Sequence, residues 1–220
     1  MTDRVLIVFA KEPEKGQVKT RLEPYKGADY CLSLYKAFLI DTLEIARKVK
    51  CDKRILAYAC NKRGIPVFIK KNSKGFELYR QRGASLGSRM NNAFKYAFKS
   101  GPAKAIIIGS DSPSLPYKFI NKSFHLLDLN DIVIGPSNDG GYYLIGMKSP
   151  CNNIFKGIKW STKNVFNETM VILRKLSKSA AILDKWFDVD DIESLNYLKS
   201  SLKSEPHLNI ARKTRSIILG

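Results

Sequence analysis

The sequence predicts an α/β fold, a mostly parallel mixed sheet with helices on both faces. Three observations carry this. Val5-Leu-Ile-Val-Phe-Ala10 and Ala105-Ile-Ile-Ile-Gly109 are continuous apolar runs, the pattern of strands buried on both sides. Segments of helical periodicity alternate with the strand-like runs. The alternation breaks once, between Ile132 and Met147, where two strands lie close together with no helix between them. That break predicts one antiparallel strand in an otherwise parallel sheet.

The elements follow in order. After the first strand comes a polar loop, Lys11 to Tyr25, punctuated by Pro13, Gly16 and Pro24. From Ala28 to Val49, apolar residues recur at Cys31, Leu34, Phe38, Leu39, Ile45, Ala46 and Val49, a helical spacing. Arg54–Ala59 reads as a strand, and Val67–Ile69 as a further short one. Ser88–Phe98 is helical, with Met90, Ala93, Phe94 and Ala97 on one face and Gly101-Pro102 as its stop. The Ala105 strand leads to a helix from Pro116 to Leu127, with proline near its start. Ile132–Ile134 and Tyr142–Met147 are the adjacent strands. Ser161 or Thr162 is expected to cap a helix reaching Leu176. Ala180–Leu183 is a strand and Ile192–Leu202 a last helix. The organisation expected is one domain over 1–205 and a basic, patternless tail over 206–220.

Composition bounds the function. With 44% hydrophobic and 26% charged residues, the chain is not a disordered, coiled-coil or collagen sequence. No apolar run approaches the roughly 20 residues of a bilayer span. Val5–Ala10 is too short for a signal-peptide core and Lys11-Glu12 follows at once, so a cytoplasmic location is expected. The net charge of +18 favours polyanionic or phosphorylated partners. Lys62–Lys104 concentrates it, and most of that stretch reads as a solvated surface. Cys31, Cys51, Cys60 and Cys151 form no C-x-x-C pair, and His125 and His207 are the only histidines, so neither a zinc site nor a disulfide framework is expected.

In parallel sheets ligands bind beyond the carboxyl ends of the strands, so the loops there were read for chemistry. The first, Ala10–Leu22, supplies Lys11, a flexible Gly16, the point charge of Lys19 and the forked charge of Arg21. A pyrophosphate would suit these, although a solvated basic loop has the same composition. The second, Gly109-Ser-Asp-Ser-Pro, places Asp111 directly after the strongest strand. A lone carboxylate there suits Mg²⁺ or Mn²⁺ shared with phosphates, while capping of the next turn is the plainer reading. In the third, Asn138-Asp-Gly-Gly141 is hairpin chemistry, yet Asp139 also offers a carboxylate beside Gly140 and Gly141, which would leave room for a substrate. The fourth, Asp188-Val-Asp190, points two carboxylates one way on an extended segment, which calls for a cation or for solvation. Gly83-Ala-Ser-Leu-Gly87 matches a nucleophile elbow but lacks a preceding buried strand, so it is read as coincidence.

Val18-Lys-Thr-Arg-Leu22, Leu86-Gly-x-Arg-Met90, Gly109-Ser-Asp-x-Pro113, Gly135-Pro-x-x-Asp-Gly-Gly-Tyr-Tyr-Leu-Ile-Gly146, Trp160-Ser-Thr162 and Asp188-Val-Asp190 occur in one order. This series resembles the DUF2064 family of glycosyltransferases, similar in turn to molybdenum-cofactor and phospholactate guanylyltransferases, over roughly residues 4–200. The resemblance implies the three-layer GT-A fold of nucleotide-diphospho-sugar transferases, nucleotide binding at the first loop, and a divalent ion near Asp111 completed by Asp188 or Asp190. One departure is visible. Asp188-Val-Asp-Asp-Ile-Glu-Ser-Leu195 lacks a Thr and a later Asp expected of the pattern, so weaker capping of the last helix is expected.

The expected activity is metal-dependent transfer of a sugar from a nucleotide-diphosphate donor, with Mg²⁺ or Mn²⁺ as cofactor. Lys11, Gly16, Lys19 and Arg21 would bind the nucleotide. Arg89 would join them or be a helix-surface charge. Asp111, Asp188 and Asp190 would hold the metal. Asp139 would act as base toward an acceptor lying against Gly140, Gly141, Tyr142 and Trp160, Trp160 either stacking on it or packing in the core. Nucleotidyl transfer from a triphosphate is the rival chemistry, and a basic nucleic-acid-binding protein the rival class, though no reader motif is present.

Overall fold

The computed structural model describes residues 3–99, 101, 104–204 and 210–220. Pro102, Pro206 and His207 lie outside them. Seven strands are described: β1 (Arg4–Lys11), β2 (Lys53–Ala59), β3 (Glu77–Arg80), β4 (Lys104–Ile108), β5 (Ile132–Pro136), β6 (Tyr142–Met147) and β7 (Ala180–Ile182). They form one sheet in the order β3-β2-β1-β4-β6-β5-β7. Every pairing is parallel except those of β6, which runs antiparallel to β4 and β5. The strand without a helical crossover is therefore the antiparallel one.

The helices are α1 (Glu23–Lys26), α2 (Ala28–Lys48), α3 (Val67–Asn72), α4 (Leu86–Phe98), α5 (Tyr117–Leu129), α6 (Val165–Lys175), α7 (Ile192–Ser204) and α8 (Arg212–Leu219). Strand residues alternate between two cores, as a pleated sheet requires. Leu6 and Val8 face Leu39 and Leu43 of α2 and Ile120 and Phe124 of α5. Val5 and Ile7 face Met90 and Phe94 of α4 and Leu173 of α6. A third cluster lies outside α2, where Leu34 and Phe38 meet Leu195 and Leu198 of α7 and Ile218 of α8.

Four local expectations are corrected. Val67–Ile69 opens α3 instead of forming a strand: Val67 is exposed and only Ile69 is buried, a helical pattern following Pro66. β3 went unread because it is a short edge strand of polar residues, held by Lys53 Nζ 2.8 Å from the Glu77 carboxylate and by Tyr79 against Tyr96. Neither Ser161 nor Thr162 caps α6. Ser161 has φ 63° and the N-cap is Asn164, without a side-chain bond. The segment after Pro206 is not patternless throughout, because α8 packs on α2. Its N-cap, Ala211, has no side-chain acceptor, so Asp41 of α2 takes the part, accepting from the backbone N–H of Lys213 at 3.0 Å and of Thr214 at 2.7 Å.

The strand before the elbow-like Gly83–Gly87, β3, has no buried residue, as expected, and Ser85 has another task. It is the N-cap of α4 in a reciprocal box with Ser88. The expected weakness at the start of α7 is likewise offset: Asp191 accepts from Ser194 N–H at 2.9 Å, and the Ser194 hydroxyl accepts from the backbone of Asp190 and Asp191.

Candidate active site

The carboxyl ends of β1 and β4 open into a cleft of about 1090 Å³. It lies where the strand order turns from β1 to β4, the switch point at which such sheets bind ligands. Asp111 enters from the turn after β4, Lys19 and Arg21 from the loop after β1, and Asp139 from the β5–β6 hairpin. Asp188 and Asp190 arrive on the segment between β7 and α7.

Lys19 is the centre of this arrangement. Its backbone is left-handed, φ 52° and ψ 36°, a conformation costly for a residue with a Cβ and concentrated at functional sites. The side chain is only 3% exposed, while those of Asp111 and Asp190 are 40% and 43% exposed. Its ammonium donates to Asp111 Oδ1 and, at 2.9 Å, to Asp190 Oδ1. The same Nζ lies 5.2 Å from the centroid of the Phe38 ring. Burial opposes the charge on Lys19, but Asp111 and Asp190 outweigh it and raise its pKa above the usual lysine range.

Asp188 and Asp190 have different partners. Val189 between them is buried, and its N–H donates to the Asp111 carbonyl at 2.9 Å, which fastens the segment to the end of β4. Asp190 turns to Lys19. Asp188 turns to the Ser112 hydroxyl, which also lies 3.0 Å from the Phe187 carbonyl. Loss of solvent around the Asp188 carboxyl, with Asp111, Asp190 and Asp139 nearby, pushes its pKa up to about 7 against the pull of Ser112.

A second brace joins the two strand ends. Tyr35 of α2 accepts from Lys11 N–H at 2.8 Å and shares a hydrogen bond with Ser110 Oγ at 3.1 Å. Burial, with Asp111 nearby, holds its pKa up at about 12, so the phenol stays protonated at neutral pH. Gln81 adds bonds to the carbonyls of Ala57, at 2.8 Å, and Ala10. At the β5–β6 hairpin, Asp139 Oδ1 accepts from Gly141 N–H at 3.0 Å and from the Ser137 hydroxyl.

The cleft brings together most residues singled out from sequence. Lys11, Lys19, Arg21, Arg89, Asp111, Asp139, Gly141, Tyr142, Trp160, Asp188 and Asp190 all line it. Gly16 does not. It is exposed, with φ 75° and nothing near its missing Cβ, so it serves the turn and not a close phosphate approach. Gly140 does not line the cleft either. A Cβ there would stand 2.1 Å from the Lys163 carbonyl, so its space is filled by protein, not left for a substrate. Arg89 donates to the Gly83 carbonyl at 3.1 Å. Trp160 packs edge-on to Tyr142 and against the bare Cα of Gly87. Sequence reading missed Tyr35, Phe38 and Ser112. The serine-rich run 110–114 was the one available signal for Ser112, and nothing local marked Tyr35 or Phe38.

Among the described residues, no group of three or more His, Cys, Asp or Glu side chains is placed to hold a metal ion. The donor chemistry nonetheless fits a hard cation bound by few protein ligands. Asp111 and Asp190 already converge on one positive charge and face an open cleft, so water and ligand oxygens could complete a shell. Asp188, bonded to Ser112, is not part of that pair.

A family model described as "Uncharacterized protein conserved in bacteria (DUF2064)" matches residues 42–162. A crystal structure from Desulfovibrio desulfuricans G20, provisionally described as a nucleotide-diphospho-sugar transferase, is 31% identical and superposes with a TM-score of 0.88, covering 100% of this chain and 98% of that one. The manganese complex of Rv0371c from Mycobacterium tuberculosis H37Rv is 14% identical (TM-score 0.55, 90% and 98% covered). The inositol-1-phosphate CTP transferase of T. maritima is 15% identical (TM-score 0.59, 98% and 97% covered). No curated protein matches. The fold is that of the nucleotide-diphospho-sugar transferases, and no helix among the described residues is long and apolar enough to cross a membrane.

Proposed function

The chain belongs to the DUF2064 family, and from that premise we propose that it is a metal-dependent transferase that moves a sugar from a nucleotide-diphosphate donor to an acceptor hydroxyl. The observation that carries the reading is the cleft at the switch point, where Lys19 and two aspartates meet and which Lys11, Arg21 and Asp139 also line. The 31% identical neighbour supports the substrate class, and the manganese bound by a more distant one supports a divalent ion.

The chain's own groups divide the work. Lys19 and Arg21, with the exposed Lys11, would bind the diphosphate through charge-assisted hydrogen bonds. Asp111 and Asp190 would hold Mg²⁺ or Mn²⁺, which neutralises charge on the leaving diphosphate. Asp139 has Oδ1 fixed by Ser137 and Gly141, so its Oδ2 would take the proton of the acceptor hydroxyl as that oxygen bonds to the anomeric carbon. The bond from that carbon to the diphosphate breaks, and the electron pair leaves with the nucleotide. Trp160 and Tyr142 would form the apolar wall beside the acceptor.

Thermal shift over nucleotide sugars, nucleoside diphosphates and triphosphates, each with and without Mn²⁺, tests this. A ligand held by the folded state raises the melting temperature. Metal-dependent stabilisation by one nucleotide sugar and its diphosphate is expected, and Asp111→Asn should abolish it with the fold intact. Stabilisation by a triphosphate alone would replace sugar transfer with nucleotidyl transfer. No stabilisation by any of them, with RNA binding that falls steeply with salt, would replace both.

A further inference from the structure

The carboxylates that would receive a divalent ion already hold a cation. Lys19 Nζ sits between Asp111 and Asp190, which come from loops far apart in the chain, and it is sealed from solvent while they are not. An ammonium bonded to Oδ1 of both carboxylates and a metal held by the same two groups would compete for their negative charge. Mg²⁺ needs its oxygens at about 2.0–2.1 Å, and a second positive charge bonded to the same atoms would lie within a few ångströms of it. A metal drawn to this pair would therefore meet the ammonium as a competitor, and its binding is tighter when Lys19 has moved away.

Lys19 can move only when something else satisfies it. Its side chain caps no helix end, and beyond the two carboxylates its ammonium has the Phe38 face. A buried ammonium without an anion is costly, and so is an aspartate pair beside Asp188 without a cation. Neither partner leaves the other cheaply. A diphosphate entering the cleft removes both obstacles, because it offers oxygens to the ammonium and, on its other side, oxygens to a metal.

We infer that Lys19 is the resident counter-ion of the Asp111–Asp190 pair, displaced onto the diphosphate as the divalent ion arrives, so that metal and nucleotide bind the free protein as a coupled pair. This deepens the transferase reading and rests on it for the diphosphate, though not for the competition between Lys19 and metal. Coupling of this kind is reciprocal: each ligand tightens the other by the same factor.

The test uses the full chain and Mn²⁺ alone, with free Mn²⁺ counted by electron paramagnetic resonance. Lys19→Met should bind Mn²⁺ at least about tenfold more tightly than the wild type, since a contact charge competing for the same oxygens is gone. Adding Asp111→Asn to that variant should remove the gain. Lys19→Gln, which can still hydrogen-bond both carboxylates, carries the same expectation if the methionine variant does not fold. Equal or weaker Mn²⁺ binding in the folded Lys19 variant overturns the inference, as does a gain that survives Asp111→Asn. A second arm adds CDP, UDP, GDP or ADP. In the wild type the bound diphosphate and Mn²⁺ should tighten each other, and in Lys19→Met that mutual effect should shrink to what direct contact between metal and phosphate supplies; an undiminished effect overturns the inference. A diphosphate that binds the wild type with no effect on Mn²⁺ overturns the inference. If no diphosphate binds at all, the transferase reading fails, while the comparison with Mn²⁺ alone still decides the role of Lys19.

Discussion

Replacing Asp41 by alanine should loosen α8 from the rest of the molecule. Asp41 is 2% exposed and accepts the backbone N–H groups of Lys213 and Thr214, the second and third residues of a helix whose own N-cap, Ala211, can accept neither. Losing an N-cap acceptor costs about 0.5–2 kcal/mol, and the negative charge at a helix N-terminus adds roughly 0.3–1 kcal/mol. Burial of the carboxylate works the other way and raises its pKa, its bonds to the α8 backbone only partly compensating. The balance is about 2 kcal/mol, or some 4–8 °C in melting temperature for a chain of this size. Calorimetry measures the shift, and limited trypsin digestion locates it, because Arg212, Lys213 and Arg215 lie within α8. Early cleavage there is expected in the variant. The sign with pH also follows. The native state holds the proton at higher pH than the unfolded chain, so stability relative to Asp41→Asn should fall as pH rises from about 4 toward the raised native value. An unchanged melting temperature with an unchanged digestion pattern would refute the capping argument.

Three further outcomes are expected. Asp131 bridges to Ser179 and lies near Lys148 and Lys178; bonds to the Ser179 backbone and hydroxyl, with those ammonium groups, hold its pKa down at about 2. Its stabilisation relative to Asp131→Asn should therefore be full above about pH 4 and disappear as pH falls to 2, as followed by melting temperature. Tyr35→Phe removes the acceptor of Lys11 N–H, at about 1–3 kcal/mol for a polar group left unsatisfied, and faster hydrogen exchange at the Lys11 amide would show it. Gly87→Ala would set a Cβ 2.6 Å from the Trp160 ring; in a Trp186→Phe background the Trp160 emission should shift, at a stability cost of about 1–3 kcal/mol.

What the sequence revealed divides along physical lines. β1, β4 and β6 are buried on both faces, so their apolar runs announce them. β3 is an edge strand whose residues answer to Lys53 and Tyr96 as much as to the sheet, and no local pattern marks such a strand. α8 is short and basic, and its capping group lies 172 residues away in Asp41, so a local reading had no access to what makes it a helix. The site was legible for a different reason. Parallel topology sends loop side chains to strand ends, and that rule, with the chemistry of the residues and the family resemblance, selected Lys19, Asp111, Asp139, Asp188 and Asp190, which line one cleft. It could not assign partners: Asp188 and Asp190 share a face in an extended tripeptide, yet one bonds to Ser112 and the other to Lys19.

That difference bears on how the cleft works. Three aspartates near one another would repel strongly if all were charged and unpaired. The structure separates them by partner: Lys19 bridges Asp111 and Asp190 and offsets half of their combined charge, while Ser112 takes Asp188 and solvent loss favours its protonated form. The stem of α2 makes this possible, since Phe38 supports the ammonium from one turn of that helix and Tyr35 braces the strand ends from the turn before it. Phe38 also belongs to the hydrophobic cluster that includes Ile218 of α8. A helix with no residue in the cleft thus shares a core cluster with the side chain that lies against its central cation. Through that cluster, Asp41→Ala should weaken diphosphate binding as well as lower the melting temperature, whereas Asp131→Asn, just before β5 and bonded to Ser179 ahead of β7, should change only the latter.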